Sequence, residues 1–213
     1  MKTMPLENAR FYAILDLHYV PPERALEMAQ QLLAGGVDAL QLRAKSHAPE
    51  SLTSLAAAIA RLCRKAGLPF IINDHPALAS ACEADAVHVG QDDMPLREVR
   101  ALFRGFVGKS THSFEQAVAA QAEGADYIGF GPLFATPTKP DYQPVGLADI
   151  ARVHSAVGIP IFCIGGINPG NLEAVLAAGA RRVVMVSALL RSPDPRAACA
   201  EVLRRLSGTR PTA

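Results

Sequence analysis

Apolar residues fall in short dense runs, separated by longer stretches of helical periodicity. The runs are FYAILDL (11–17), ALQLR (39–43), PFIIND (69–74), AVHVG (86–90), FVGKST (106–111), YIGFGP (127–132), PIFCIGG (160–166) and RVVMVSAL (182–189). Each has strand length and is rich in β-branched or aromatic residues. Between them lie segments such as PERALEMAQQLLAGG, ESLTSLAAAIARLCRKAG and SFEQAVAAQAEG. Their apolar residues recur at i, i+3, i+4 and i+7, and several stop at glycine, the usual helix C-terminal signal.

Eight strands alternating with helices predict repeated βα units and a parallel sheet. The strands are apolar almost throughout, as a sheet covered on both faces requires. The expected fold is α/β, a single-domain (β/α)8 TIM barrel over 1–213, with a short lead at 1–10 and a frayed tail at 207–213. The rival is an open doubly wound sheet. No G-x-G-x-x-G follows the first strand, where Asp16-Leu17-His18 stands instead, and this weakens a dinucleotide-binding reading.

The chain has 213 residues and a formal net charge of +1, so no global field favours nucleic acid. Cys63, Cys82, Cys163 and Cys199 form no C-x-x-C pair and lie mostly among apolar residues. They read as reduced buried thiols of a cytoplasmic protein. The N-terminus has no secretory pattern, and no apolar run reaches the ~18 residues of a membrane span.

In a barrel of this kind the chemistry gathers where strands end and βα loops begin. Strand 2 ends in Gln41-Leu42-Arg43-Ala44-Lys45. Period-two alternation points Gln41, Arg43 and Lys45 the same way, giving an amide, a planar guanidinium and an ammonium suited to a multiply charged anion. Strand 3 ends in Asn73-Asp74-His75-Pro76, and strand 4 runs into Gly90-Gln91-Asp92-Asp93-Met94-Pro95. Acids just before a proline read as helix N-caps. Two carboxylates on adjacent strand ends also suit Mg²⁺ held by few protein oxygens together with substrate phosphate. Both readings stay open. Ser110 and His112 could face inward together at the end of strand 5, while Ser113 suits the N-cap of the next helix. Gly165-Gly166 after strand 7 and Ser187 after strand 8 stand where barrels often bind phosphate. Between these two anion sites lies GFGPLFATPTKP (129–140), with two hydroxyls and an ammonium on a proline-stiffened loop. The layout suggests an enzyme that joins two phosphorylated small molecules.

Taken together, QLRAK, INDHPALA, ADAVHVGQDDMP, VGKSTHS, GADYIGFGPLFATPTKP, IPIFCIGGIN and VVMVSAL resemble the thiamin phosphate synthase family over roughly residues 11–190. The resemblance implies transfer of a pyrimidinylmethyl group from 4-amino-2-methyl-5-hydroxymethylpyrimidine diphosphate to a thiazole phosphate, or its carboxylated form, with Mg²⁺ as cofactor. It implies that Gln41, Arg43, Lys45, Asn73, Ser110 and Lys139 hold the pyrimidine diphosphate. Of these, Arg43, Lys45, Ser110 and Lys139 serve catalysis. Asp74 and Asp93 would bind Mg²⁺. Thr136, Thr138, Gly166, Val186 and Ser187 would bind the thiazole phosphate. The expected partners are these two small molecules, with neither nucleic acid nor membrane; a homo-oligomer is left open. The chain departs from the family pattern at Ala44, His75, Lys109 and Arg181-Arg182, none of which is a ligand carried over. The alternatives are a related thiazole tautomerase on the same fold, which would favour a proton-moving histidine such as His112, and a non-catalytic phosphate-ligand sensor.

Overall fold

The computed structural model describes residues 6–138 and 142–208. Its eight strands are β1 (Phe11–Asp16), β2 (Ala39–Arg43), β3 (Phe70–Asn73), β4 (Ala86–Val89), β5 (Phe106–Thr111), β6 (Tyr127–Phe130), β7 (Ile161–Cys163) and β8 (Val183–Met185). All pair in parallel, each with its sequence neighbours, and β8 returns to β1 to close the barrel. The open-sheet alternative is thereby excluded.

The helices are α1 (Pro22–Ala34), α2 (Thr53–Ala66), α3 (Pro76–Ala81), α4 (Leu96–Leu102), α5 (Phe114–Ala122), α6 (Ile150–Ala156), α7 (Leu172–Ala177), α8 (Ser187–Leu190) and α9 (Pro195–Gly208). The expected strand over 182–189 stops at Met185. The backbone turns at Val186 (φ −126°, ψ −92°), and Ser187 already opens α8. An apolar run of this length carries no mark of where a strand gives way to a buried helix. The expected tail at 207–213 begins two residues too early, because α9 carries through Gly208. Part of the expected lead at 1–10 is structural as well, since Leu6 and Ala9 are buried.

Strand register sorts the inward side chains into layers. Tyr12 pairs with Ala39, Ile14 with Gln41 and Asp16 with Arg43. The lowest layer is apolar: Tyr12, Ala39, Ile71, Ala86, Tyr127, Phe162 and Val184 form one buried cluster, joined by Leu6 and Ala9. Phe162 meets Tyr12 and Tyr127 edge to face, with ring centroids at 5.3 and 5.9 Å, a favoured aromatic geometry. Gly108 makes room for this floor, because a Cβ there would lie 2.1 Å from Tyr127 Cζ. A second, larger cluster fills the space between strands and helices. The barrel is thus plugged from below, and polar groups in the upper layers face a cavity with one open end.

Candidate active site

Two residues farther along each strand, side chains change from apolar to mixed. Ile14, Gln41, Asn73, His88, Ser110, Gly129, Ile164 and Val186 line a cavity of about 90 Å³. Above them the wall continues with Arg43, His112, Gly131, Thr136, Thr138, Gly166 and Ser187. Nine of the thirteen sequence-selected positions therefore meet in one cavity: Gln41, Arg43, Asn73, Ser110, Thr136, Thr138, Gly166, Val186 and Ser187. Lys139 lies outside the described residues.

The remaining three, Lys45, Asp74 and Asp93, form their own cluster, outside the cavity wall. Lys45 Nζ lies 2.6 Å from Asp74 Oδ2 and 3.2 Å from Asp93 Oδ1. β2 has ended at Arg43, so Lys45 is carried off the inward alternation that would have aligned it with Gln41. It lines instead an adjoining polar cleft of about 280 Å³, with Asp16, His18, Arg43 and Thr138. Arg43 and Thr138 belong to both walls, so the two spaces are neighbours.

The capping reading of the acids is wrong. The N-cap positions of α3 and α4 are His75 and Pro95, and neither helix has a side-chain cap. Asp93 Oδ2 accepts from the Gly90 N–H at 2.7 Å and so ties its own loop. Asp74 adopts φ +64°, the left-handed region that Asp tolerates better than most residues. Ser113 does cap α5, accepting from the Gln116 N–H at 3.2 Å.

Electrostatically the cluster behaves as a unit. Burial raises the Asp74 pKa, and the neighbouring Asp93 adds to this against the pull of Lys45. Asp93 is lowered: burial opposes its charge, but Asp74, the Gly90 N–H and Lys45 outweigh it. The two carboxylates therefore share protons as a coupled pair. Lys45 is raised, because the two acids outweigh its burial. Hard oxygen donors facing each other fit a divalent cation such as Mg²⁺. Among the described residues no group of three or more His, Cys, Asp or Glu side chains could hold a metal alone.

Sequence reasoning missed the groups that orient the site. Asp16, 1% exposed, accepts from Arg43 Nη1 at 2.5 Å. Tyr12 sits beneath Gln41, which donates to its hydroxyl at 2.5 Å. Gln41 Oε1 is buried and has no partner among the described residues, an acceptor on the cavity wall. His88 Nε2 lies 3.0 Å from Ser110 Oγ. The lone polar residue in AVHVG was a signal for it, since period two opposes His88 to Val87 and Val89.

The loop after β6 is laced to both neighbours. Leu133 and Phe134 N–H groups donate to the Ile164 and Gly165 carbonyls at 2.9 and 3.1 Å. Thr138 Oγ1 lies 2.9 Å from the Tyr19 hydroxyl, and Tyr142 donates to Asp92 at 3.3 Å. His112 Nδ1 donates to the Gly131 carbonyl, and its ring lies 4.7 Å from Tyr142. Gly165 and Gly166 take φ +98° and +66°. The Asn168 and Asn171 amides hold the Gly166 carbonyl at 3.1 and 2.9 Å.

The departures fall away from the cavity wall. Ala44 packs into the outer core, and Lys109 pairs with Glu123 at 2.9 Å. All four cysteines are buried, and burial pushes the Cys63, Cys163 and Cys199 thiols up to about 12. No described helix is long and apolar enough to cross a membrane.

A family model described as thiamine monophosphate synthase matches residues 11–189. A thiamine-phosphate synthase of Thermus thermophilus is 45% identical over 187 residues, 87% of this chain and 91% of that one. That of Thermobifida fusca is 44% identical over 206 residues, 94% of each. The solved structure of a thiamine phosphate pyrophosphorylase from Pyrococcus furiosus superposes with a TM-score of 0.87 at 30% identity, over 95% of this chain and 97% of that one. At 17% identity and a TM-score of 0.74, a geranylgeranylglyceryl phosphate synthase from Thermoplasma acidophilum shares the fold.

Proposed function

The chain belongs to the thiamine monophosphate synthase family, and on that premise we propose that it couples 4-amino-2-methyl-5-hydroxymethylpyrimidine diphosphate to a thiazole phosphate, giving thiamin phosphate and diphosphate. One observation carries the assignment of the two substrates. The largely apolar cavity adjoins the Lys45–Asp16 cleft, and Arg43 and Thr138 line both. Rings fit the first space and a diphosphate the second.

The chemistry requires the bond between methylene and diphosphate oxygen to break, with its electron pair leaving on the diphosphate. The thiazole nitrogen then bonds to the methylene. An electron-rich aminopyrimidine supports the cationic carbon in between, so the protein's tasks are charge stabilisation and orientation. Gln41 Oε1 supplies an acceptor for the pyrimidine amino group. Arg43, fixed by Asp16, faces the leaving diphosphate, with Lys45, Ser110 and Lys139 as further donors. Asn73 completes the pyrimidine side. Thr136, Thr138, Gly166, Val186 and Ser187 hold the thiazole phosphate, where the start of α8 offers N–H groups to an anion. Asp74 and Asp93 would hold Mg²⁺, which when bound neutralises charge on the diphosphate.

No side-chain nucleophile is needed, and the buried thiols offer none. The tautomerase reading has less support, because the acid pair of Asp74 and Asp93 would have no task in it. Both substrates carry phosphate and cannot cross membranes unaided, so the site of action is the cytoplasm.

The test is direct: purified protein, both phosphorylated substrates and Mg²⁺ are mixed and thiamin phosphate is followed. Product formation that needs all three components is expected. No product at saturating substrate would remove the reading.

A further inference from the structure

The opposite end of the barrel carries charge that the proposed reaction does not use. Arg10 directly precedes β1, and Arg181-Arg182 directly precede β8. These strands are neighbours, with Phe11 opposite Val183, and the Val183 N–H donates to the Arg10 carbonyl at 2.9 Å. Barrel closure therefore brings three arginines to one rim. They line an open cleft of about 840 Å³, walled also by Glu7, Glu173 and Gly179.

The arginines are poorly compensated there. Among the described residues, none of the three forms an ion pair with a carboxylate, although Glu7 and Glu173 share the cleft. Arg182 is half-buried. Its Nη2 donates to the Glu7 carbonyl at 2.7 Å, and its Nε is buried without an acceptor. Burial and the charge of Arg181, helped by Arg10, lower the Arg182 pKa against the opposing charge of Glu7. Burial and the charges of Arg181 and Arg182 push the nearby His154 down to about 4. Clustered guanidiniums repel one another, and a half-buried one with an unpaired Nε–H is destabilised further. An oxyanion in the cleft offsets the repulsion, because planar guanidinium forks match its geometry.

We propose that this rim cleft is a second anion site, binding a phosphate-class oxyanion at the end of the barrel opposite the reaction. The proposal does not depend on the assigned chemistry of the mouth. The anion could come from inorganic phosphate or from inorganic diphosphate.

Amide and imidazole NMR resonances separate the two ends. Phosphate and diphosphate are titrated in separate arms, each against sodium chloride at matched ionic strength. Saturable shifts are expected at the Arg10, Gly179 and Arg182 amides. The His154 titration should move upward, because a bound anion offsets the arginine charge. The arm that saturates at lower concentration identifies the source. Shifts at Ser110 and His88 report the mouth and are scored separately. Arg181→Gln, an exposed position, should weaken rim binding by up to about fivefold with turnover unchanged, and Arg182→Gln should weaken it as well. Absence of saturable rim shifts, equal shifts with chloride, or wild-type affinity in Arg181→Gln would each overturn the proposal.

Discussion

Arg43 Nη1 donates to Asp16 Oδ2 at 2.5 Å, across the junction of β1 and β2. The carboxylate is 1% exposed, so this pair is structural support for a guanidinium that faces both the cavity and the cleft. Asp16→Ala leaves a largely buried cation unpaired, and loss of such a partner costs about 3–5 kcal/mol. The expected result is a lower urea midpoint together with a raised KM for the pyrimidine diphosphate. Unchanged stability and KM would show that Arg43 is held by something else.

Acidification should weaken Mg²⁺ binding earlier than ordinary carboxylates would. The proposed Mg²⁺ site needs both Asp74 and Asp93 ionised. The folded pKa of Asp74 is raised above 3.8, so its proton returns first as pH falls. Apparent Mg²⁺ affinity, measured by calorimetry with the substrates omitted and then included, should begin to fall above the usual carboxylate range. Asp93→Ala should remove Mg²⁺-dependent turnover while leaving circular dichroism unchanged. A metal-dependent rate equal to wild type would release Asp93 from the metal role.

Gly166→Ala should damage the thiazole side. Gly166 has φ +66°, and a Cβ there would lie 2.7 Å from Phe134 Cβ and 2.8 Å from the Ala135 carbonyl oxygen. Backbone strain of this kind costs about 1–3 kcal/mol. KM for the thiazole phosphate should rise about tenfold, with the pyrimidine KM little changed. Steady-state kinetics varying one substrate at a time separates the two.

Lys139→Ala addresses the leaving group. Removing one donor from a developing anion typically lowers kcat by about 10²–10³. The expected pattern is a kcat loss larger than the change in thiazole KM, read from the same kinetics. A pure KM effect would move Lys139 from catalysis to binding.

Acid should also act on stability through His154. Its folded pKa, about 4, lies below its ordinary 6.5. Between these values the unfolded chain binds the proton and the folded chain does not, so stability falls as pH drops from 6.5 toward 4 and is fully present above 6.5. Discounted for partial exposure, the loss is about 1–2 kcal/mol. His154→Leu should flatten the Tm difference between neutral and acidic buffer, and an unaltered difference would assign the acid sensitivity to other groups.

The chain's own periodicities determined a good deal of this molecule. Eight apolar runs joined by helical repeats specify a parallel βα sheet, because a sheet covered on both faces must be apolar on both, while its closure into a barrel was decided by β8 pairing with β1. Period two was enough to predict that Gln41 and Arg43 face inward together, since successive side chains alternate faces. The same rule failed at Lys45, because the strand ends at Arg43 and alternation has no hold beyond it. It also could not choose between cap and ligand for Asp74 and Asp93, because a carboxylate before a proline looks the same in both roles. The tertiary structure placed Lys45 beside the two acids and removed the cap reading. It set Asp16 against Arg43, 27 residues away, and Lys45 against Asp93, 48 residues away. It also gathered Arg10 with Arg181 and Arg182 at the far rim. Local pattern fixes which face a side chain takes, but the partner it meets depends on strand register around a closed sheet, and that register is set by the packing of the whole barrel.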